Sequence, residues 1–130
     1  MSLLLDTCAV LWLASEPGKL SAAARKRLVS PAERVVVSVI SAGEIACLSD
    51  RGKIRLPTHW RKWFRDAVDA NGWAVEVVDL DVIEEAYCLP GNFHPDPADR
   101  FLVATARLRQ FTLVTGDQKI LAYPHVRSLS

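Results

Sequence analysis

Leu3-Leu4-Leu5-Asp6-Thr7 decides the fold. An apolar run without alternation reads as a short strand covered on both faces, which is the pattern of a parallel sheet. The strand stops on an acid. Val35-Val36-Val37, closed by Ser38, repeats the pattern, and Ala74–Val78 and Thr112–Thr115 read as the third and fourth strands. Val126 seeds a weak last strand. Helical stretches separate them: Cys8 to Ala14, ending near Pro17-Gly18; a Ser21-capped helix through Leu28; Ser41 to about Asp50, stopping at Gly52; and Asp81 to Cys88, ended by Pro90-Gly91. Leu56-Pro57-Thr58 opens a further helix, in which Trp60, Trp63, Phe64, Ala67 and Val68 form one apolar stripe ended by Gly72. Pro97 to about Gln110 is the longest remaining helix, and Gln118 to Ala122 a short helical turn. Buried strands alternating with helices predict an α/β sandwich around a mainly parallel sheet of four to five strands.

At 130 residues, without internal repeat or linker, residues 1–130 read as a single domain. Sixteen basic against fifteen acidic residues give a formal net charge of +1, so affinity for a polyanion must come from local patches. Cys8, Cys47 and Cys88 are odd in number, widely spaced and set among apolar residues. They are expected to be reduced core thiols, without the spacing of a disulfide or zinc framework. The longest N-terminal apolar run, Thr7 to Ser15, is too short to cross a bilayer and wrongly flanked for a signal peptide, so a cytoplasmic location without membrane attachment is expected.

His94-Pro95-Asp96-Pro97-Ala98-Asp99-Arg100 sets two acids where a proline-rich loop becomes a helix. Pro97 fits the first helical position, which puts Asp96 at the N-cap and Asp99 at the third helical position. Asp6 and Asp117 follow strands, and Glu44 lies in a helix whose Ser41-x-x-Glu44 spacing is also that of a capping box. In an open α/β sheet, function gathers at the carboxyl ends of strands. Two carboxylates about 5 Å apart repel by roughly 3 kcal/mol at an effective dielectric of about 20. Four converged acids would approach ~20 kcal/mol of repulsion, against a domain stability of about 5–15 kcal/mol. Such acids need screening, protons or a cation, and all-oxygen ligation suits Mg²⁺ or Mn²⁺. His59, His94 and His125 show no ligand spacing, which disfavours zinc. Separate caps and solvated turn acids explain the same residues without a metal.

The chain resembles the PIN domains, specifically the VapC-type toxin ribonucleases. Leu3-Leu4-Leu5-Asp6-Thr7 resembles the family's opening strand and first acid, and Val37-Ser38 through Ser41-Ala42-Gly43-Glu44-Ile45 the segment of its second. Asp99-Arg100-Phe101-Leu102-Val103-Ala104-Thr105-Ala106 matches an acid followed by a small-residue apolar helix, and Leu113-Val114-Thr115-Gly116-Asp117 the strand ending in T-x-D. His94-x-Asp96-Pro97-x-Asp99-Arg100 is typical of one subgroup. Ala98 replaces a usual aromatic, and Ala42-Gly43 a commoner Leu-Trp. The resemblance implies a three-layer α/β/α sandwich, Mg²⁺- or Mn²⁺-dependent cleavage of RNA, a homodimer, and neutralisation by a small VapB-like antitoxin. Asp6, Glu44 and Asp99 would hold the metal with Asp117 assisting.

Asp96 is expected mainly as the cap that fixes the turn carrying Asp99, with support of the site as its other role. Thr7 and Thr115 hold waters or orient acids, or are ordinary strand-end hydroxyls. Arg100 meets a phosphate or pairs with a neighbouring acid, and His94 shapes its loop. Arg51, Lys53, Arg55, Arg61, Lys62 and Arg65 have no acid among them. They suit an RNA backbone, a solvated helix face or an antitoxin groove. A catalytically weak PIN-like protein that binds RNA or a partner is the alternative. A phosphatase with Asp6 as nucleophile fits less well, since Cys8 stands where that chemistry usually carries a second Asp.

Overall fold

Leu3, Leu4 and Leu5 form the centre of a five-stranded, all-parallel sheet. In the computed structural model, which describes residues 1–130, the chain runs β1 (Ser2–Leu5), α1 (Thr7–Ser15), α2 (Ala22–Leu28), β2 (Arg34–Ser38), α3 (Val39–Asp50), α4 (Trp60–Asn71), β3 (Ala74–Glu76) and α5 (Leu80–Ala86). It continues through α6 (Pro97–Arg109), β4 (Thr112–Val114), α7 (Gln118–Leu121) and β5 (Ser128–Leu129). The strand order is β3-β2-β1-β4-β5. Leu3 pairs with Val35 on one side and Thr112 on the other, and Leu5 with Val37 and Val114.

Strand side chains alternate between faces, and here both faces are apolar. Leu3, Leu5, Val37 and Val114 pack with Val10, Ala24, Ile45 and Phe64 from α1, α2, α3 and α4. Leu4, Val36 and Leu113 pack on the opposite face with Leu102, Val103 and Ala106 of α6 and Ile120 of α7. Helices therefore cover both faces in three layers. A smaller apolar contact, Val82 and Ala86 with Ala104, holds α5 against α6. No helix is long and apolar enough to cross a membrane.

Several local expectations shift. The third strand stops at Glu76, two residues short of the expected end, because β3 is an edge strand with Val75 47% and Val77 59% exposed. The fifth strand pairs through Ser128 and Leu129 rather than starting at Val126. His59 caps α4 through Nδ1, which accepts from Arg61 N at 3.2 Å. The three cysteines are free but exposed, not core thiols. Small helical side chains among apolar neighbours mark a helix, and only its orientation decides which one faces water.

Candidate active site

The strand order reverses at β1: the chain steps outward through β2 and β3, then returns to the other side of β1 as β4. Ligand sites of open α/β sheets gather at the carboxyl ends of strands beside such a reversal. Asp6 follows β1 there, and Thr115-Gly116-Asp117 follows β4. The Asp6 backbone N–H donates to Val114 O at 3.0 Å and ties the two strand ends together.

Asp6 is only 4% exposed. Its Oδ1 accepts from Ala9 N at 2.7 Å, which makes it the N-cap of α1, and its Oδ2 accepts from the Thr115 hydroxyl. Burial pushes its carboxyl up to about 6 against the pull of the Thr115 and Ala9 hydrogen bonds, and the charges of Asp117 and Glu44 push the same way. Thr115 Oγ1 also accepts from Asp117 N at 3.0 Å, so one buried hydroxyl positions both strand-end acids. Asp117 caps α7, with Oδ1 accepting from Lys119 N at 2.8 Å.

Glu44 is not in a capping box. α3 begins at Val39, and Ser38 is its cap, accepting from Ile40 N at 3.1 Å. Ser41 is thus inside the helix, fully buried, with its Oγ 3.1 Å from Thr7 Oγ1. The Thr7 hydroxyl donates to Glu44 Oε1. Glu44 therefore faces the strand end instead of folding back on Ser41. Burial raises its carboxyl, opposed by the Thr7 hydrogen bond and reinforced by Asp96.

The two acids of the α6 turn separate. Asp96 is exposed and caps α6, its Oδ2 accepting from Asp99 N at 3.1 Å. The Asp99 side chain is 19% exposed. Burial, then the charges of Asp96, Asp117, Glu44 and Asp6, push it up to about 7. Cys8 lies at the rim of the same cluster, where desolvation and the facing carboxylates push its thiol up to about 11. A thiol so disfavoured as thiolate is not a nucleophile.

Arg100 pairs with no neighbouring acid. Its guanidinium donates to Phe93 O at 2.8 Å, Ala86 O at 2.9 Å and His94 O at 3.1 Å. It staples the loop before α6 to the end of α5. Arg100→Ala leaves those partly buried carbonyls without their charged donor and is expected to lower unfolding stability by about 2–4 kcal/mol, read by urea denaturation.

His94 does more than shape its loop. Its Nε2 lies 3.1 Å from Asp99 Oδ2, and ligand atoms of His94, Asp99 and Asp117 fall within 4.8 Å of one another. Sequence spacing missed this histidine because its five-residue separation from Asp99 spans a proline loop rather than a helix face. The signal was its place in the His94-x-Asp96-Pro97-x-Asp99 run itself. Trp12 was also missed. A Cβ on Gly116 would lie 2.2 Å from Trp12 Cη2, so only glycine lets the ring pack beside the Asp117 turn. Gly116→Ala is expected to displace the ring or that turn, at about 1–3 kcal/mol of stability by thermal melting.

Residues 3–126 match the family model described as the PIN domain. The chain belongs to the PIN-domain family. It is 31% identical over 131 residues to Ribonuclease VapC22 of Mycobacterium tuberculosis (strain ATCC 25618 / H37Rv), covering 99% of this chain and 97% of that protein. Among solved structures, the toxin-antitoxin complex from Klebsiella pneumoniae aligns with a TM-score of 0.70 at 19% identity, covering 98% of this chain and 96% of the other. VapBC2 from Rickettsia felis, bound to a DNA fragment from its promoter, aligns with a TM-score of 0.71 at 12% identity, covering 98% and 97%. These likenesses establish the PIN fold.

The donor set of this PIN domain fits a divalent cation. The charges of Asp117 and Glu44 push Asp6 toward its neutral form, those of Asp96, Asp117, Glu44 and Asp6 push Asp99 the same way, and a hard cation relieves that repulsion while accepting oxygen ligands. The tightest grouping is His94, Asp99 and Asp117. Asp6 and Glu44 stand beside it, already engaged by Thr115, Ala9 and Thr7.

Proposed function

We propose that the chain is a divalent-metal-dependent endoribonuclease and the toxin of a VapBC-type pair, active in the cytoplasm. The observation that carries this reading is the meeting of Asp6, Glu44, Asp99 and Asp117, from four separate segments, at the reversal of the sheet. The relatives point the same way: VapC22 is a ribonuclease by name, and the two structural neighbours are a toxin-antitoxin complex and VapBC2.

Asp99 and Asp117 would hold Mg²⁺ or Mn²⁺, with Asp6 and Glu44 completing the negative wall. A cation bound there would supply Lewis acidity toward a phosphate oxygen and an attacking water, and positive charge against the negative charge that develops on the phosphodiester. Thr115 fixes Asp6 and the Asp117 backbone, and Thr7 fixes Glu44, so the acids are placed before substrate arrives. Asp96 holds the first turn of α6 through the Asp99 N–H and adds negative charge at the rim.

Substrate and partner would use the surface around α4. Arg51, Lys53, Arg55, Arg61, Lys62 and Arg65 are all exposed, and of these only Lys62 is in an ion pair, with Asp66 at 2.6 Å. Such cations supply the salt-dependent backbone attraction that RNA binding needs. A groove of about 560 Å³, lined by Leu11, Trp12, Ile54, Leu56 and Trp63 with Arg55 at its edge, suits the apolar face of an antitoxin segment. A homodimer is the expected assembly of the toxin. The test is expression in bacteria: the wild-type chain is expected to arrest growth, and co-expression of its antitoxin to restore it. Asp6→Asn, made to the same level, is expected not to arrest growth. Arrest by both forms would overturn the reading.

A further inference from the structure

One buried atom beside the acids has no explanation in the all-carboxylate account. His94 Nε2 is buried and makes no hydrogen bond. Asp99 Oδ2 is 3.1 Å away, but the pair is not aligned for one. A ring nitrogen stripped of water without a replacement partner is rare in folded proteins, and an ion is one of the reasons it survives.

The imidazole is held where it is. Arg100 Nη2 and Nε donate to the carbonyls of Phe93 and His94, which fixes the loop backbone. The Phe93 ring lies against the imidazole with centroids 4.4 Å apart, and Tyr123 backs Phe93 at 4.8 Å. Tyr123 in turn donates its hydroxyl to Pro90 O. A ring clamped this way cannot easily swing its free nitrogen back to solvent. A His94 ring nitrogen, an Asp99 oxygen and an Asp117 oxygen all fall within 4.8 Å of one another, close enough to surround one ion, and Nε2 is the nitrogen 3.1 Å from Asp99 Oδ2.

We propose that His94 Nε2 is a direct ligand of the divalent cation held by Asp99 and Asp117, so that the site is a mixed nitrogen–oxygen one. The inference rests on the metal-dependent reading of the same acids and deepens it by naming the ligand that sets metal preference. Mg²⁺ takes oxygen ligands and gives up its water reluctantly. Imidazole nitrogen suits first-row transition ions, whose affinities rise from Mn²⁺ through Fe²⁺ to Co²⁺. The chain is therefore expected to bind Mn²⁺ in preference to Mg²⁺, and Co²⁺ more tightly than Mn²⁺. A neutral ligand also strengthens binding without adding charge to an already crowded acidic cluster.

The test is electron spin-echo envelope modulation on the purified full chain with bound Mn²⁺, alongside calorimetric titration with Mn²⁺ and Mg²⁺. The wild-type protein is expected to show the ¹⁴N coupling of a coordinated imidazole, replaced by the ¹⁵N pattern when its histidines are ¹⁵N-labelled. His94→Gln is expected to keep Mn²⁺ binding through the acids, lose that coupling, and lower the Mn²⁺-to-Mg²⁺ affinity ratio by about tenfold or more, the range seen even for residues that only orient a ligand. Bound Mn²⁺ without imidazole coupling in the wild-type protein would overturn the proposal and leave the nuclease reading standing, whether or not the variant folds. Coupling that persists in His94→Gln would overturn it equally. Failure of the wild-type chain to bind Mn²⁺ at all would overturn the proposal together with the metal-dependent reading beneath it.

Discussion

Asp99→Asn is expected to lower metal-supported RNA cleavage by at least about 10³-fold, equivalent to about 4 kcal/mol of lost transition-state stabilisation. The amide keeps the shape of the side chain and its place in the first turn of α6, but it removes the charge that would hold the cation. The same substitution is expected to stabilise the protein in chelator. Asp99 is pushed up to about 7 by burial and by Asp96, Asp117, Glu44 and Asp6, so at pH 8 it is ionised against its surroundings. Removing that charge is expected to add roughly 1–3 kcal/mol, several degrees in melting temperature. Loss of activity with gain of stability separates a functional acid from a structural one. A structural acid at a helix N-terminus would lose stability on the same change.

The second large effect is the pH dependence of the chelated protein. Asp6 and Asp99 have folded values of about 6 and about 7, raised above a reference value of 3.8. The folded state therefore holds protons that the unfolded state has already released. Stability is fully present below about pH 4 and is lost as pH rises through about 6 and 7, by roughly 3–5 kcal/mol in all. Millimolar Mg²⁺ or Mn²⁺ is expected to reverse this at pH 8, since a ligand at about 100 times its Kd contributes about 2.7 kcal/mol. At pH 5 the same cation is expected to do much less, because protons compete for the carboxylates. Melting curves in chelator and in Mn²⁺ across pH 5–8 check both halves. A melting temperature that rises toward pH 8 in chelator would contradict the converged acids.

Much of this was legible in the chain. The unalternating Leu3-Leu4-Leu5 and Val35-Val36-Val37 runs require cover on both faces, and the sheet is parallel with helices on both sides. The resemblance to PIN domains named the four acids, whose residues the fold brings together beside the carboxyl ends of the central strands. What sequence spacing misread were side chains whose direction depends on a helix start or a loop path. Ser41-x-x-Glu44 has the spacing of a capping box, but Ser38 starts the helix and turns Glu44 toward Thr7. Arg100 follows an acid and invites an ionic reading, but it reaches backward to three carbonyls. His94 carries no helical ligand period, because a proline-bearing loop, not a helix, folds it onto Asp99 and Asp117.

The most direct test of the central claim is cleavage of an end-labelled RNA by the purified chain after chelation, with Mg²⁺ or Mn²⁺ added back. Wild-type protein is expected to be inactive in chelator and to recover on add-back, giving internal cuts without a 2′,3′-cyclic phosphate end, while Asp6→Asn stays inactive throughout. Equal cleavage with and without the metal, or wild-type activity in Asp6→Asn, would contradict it.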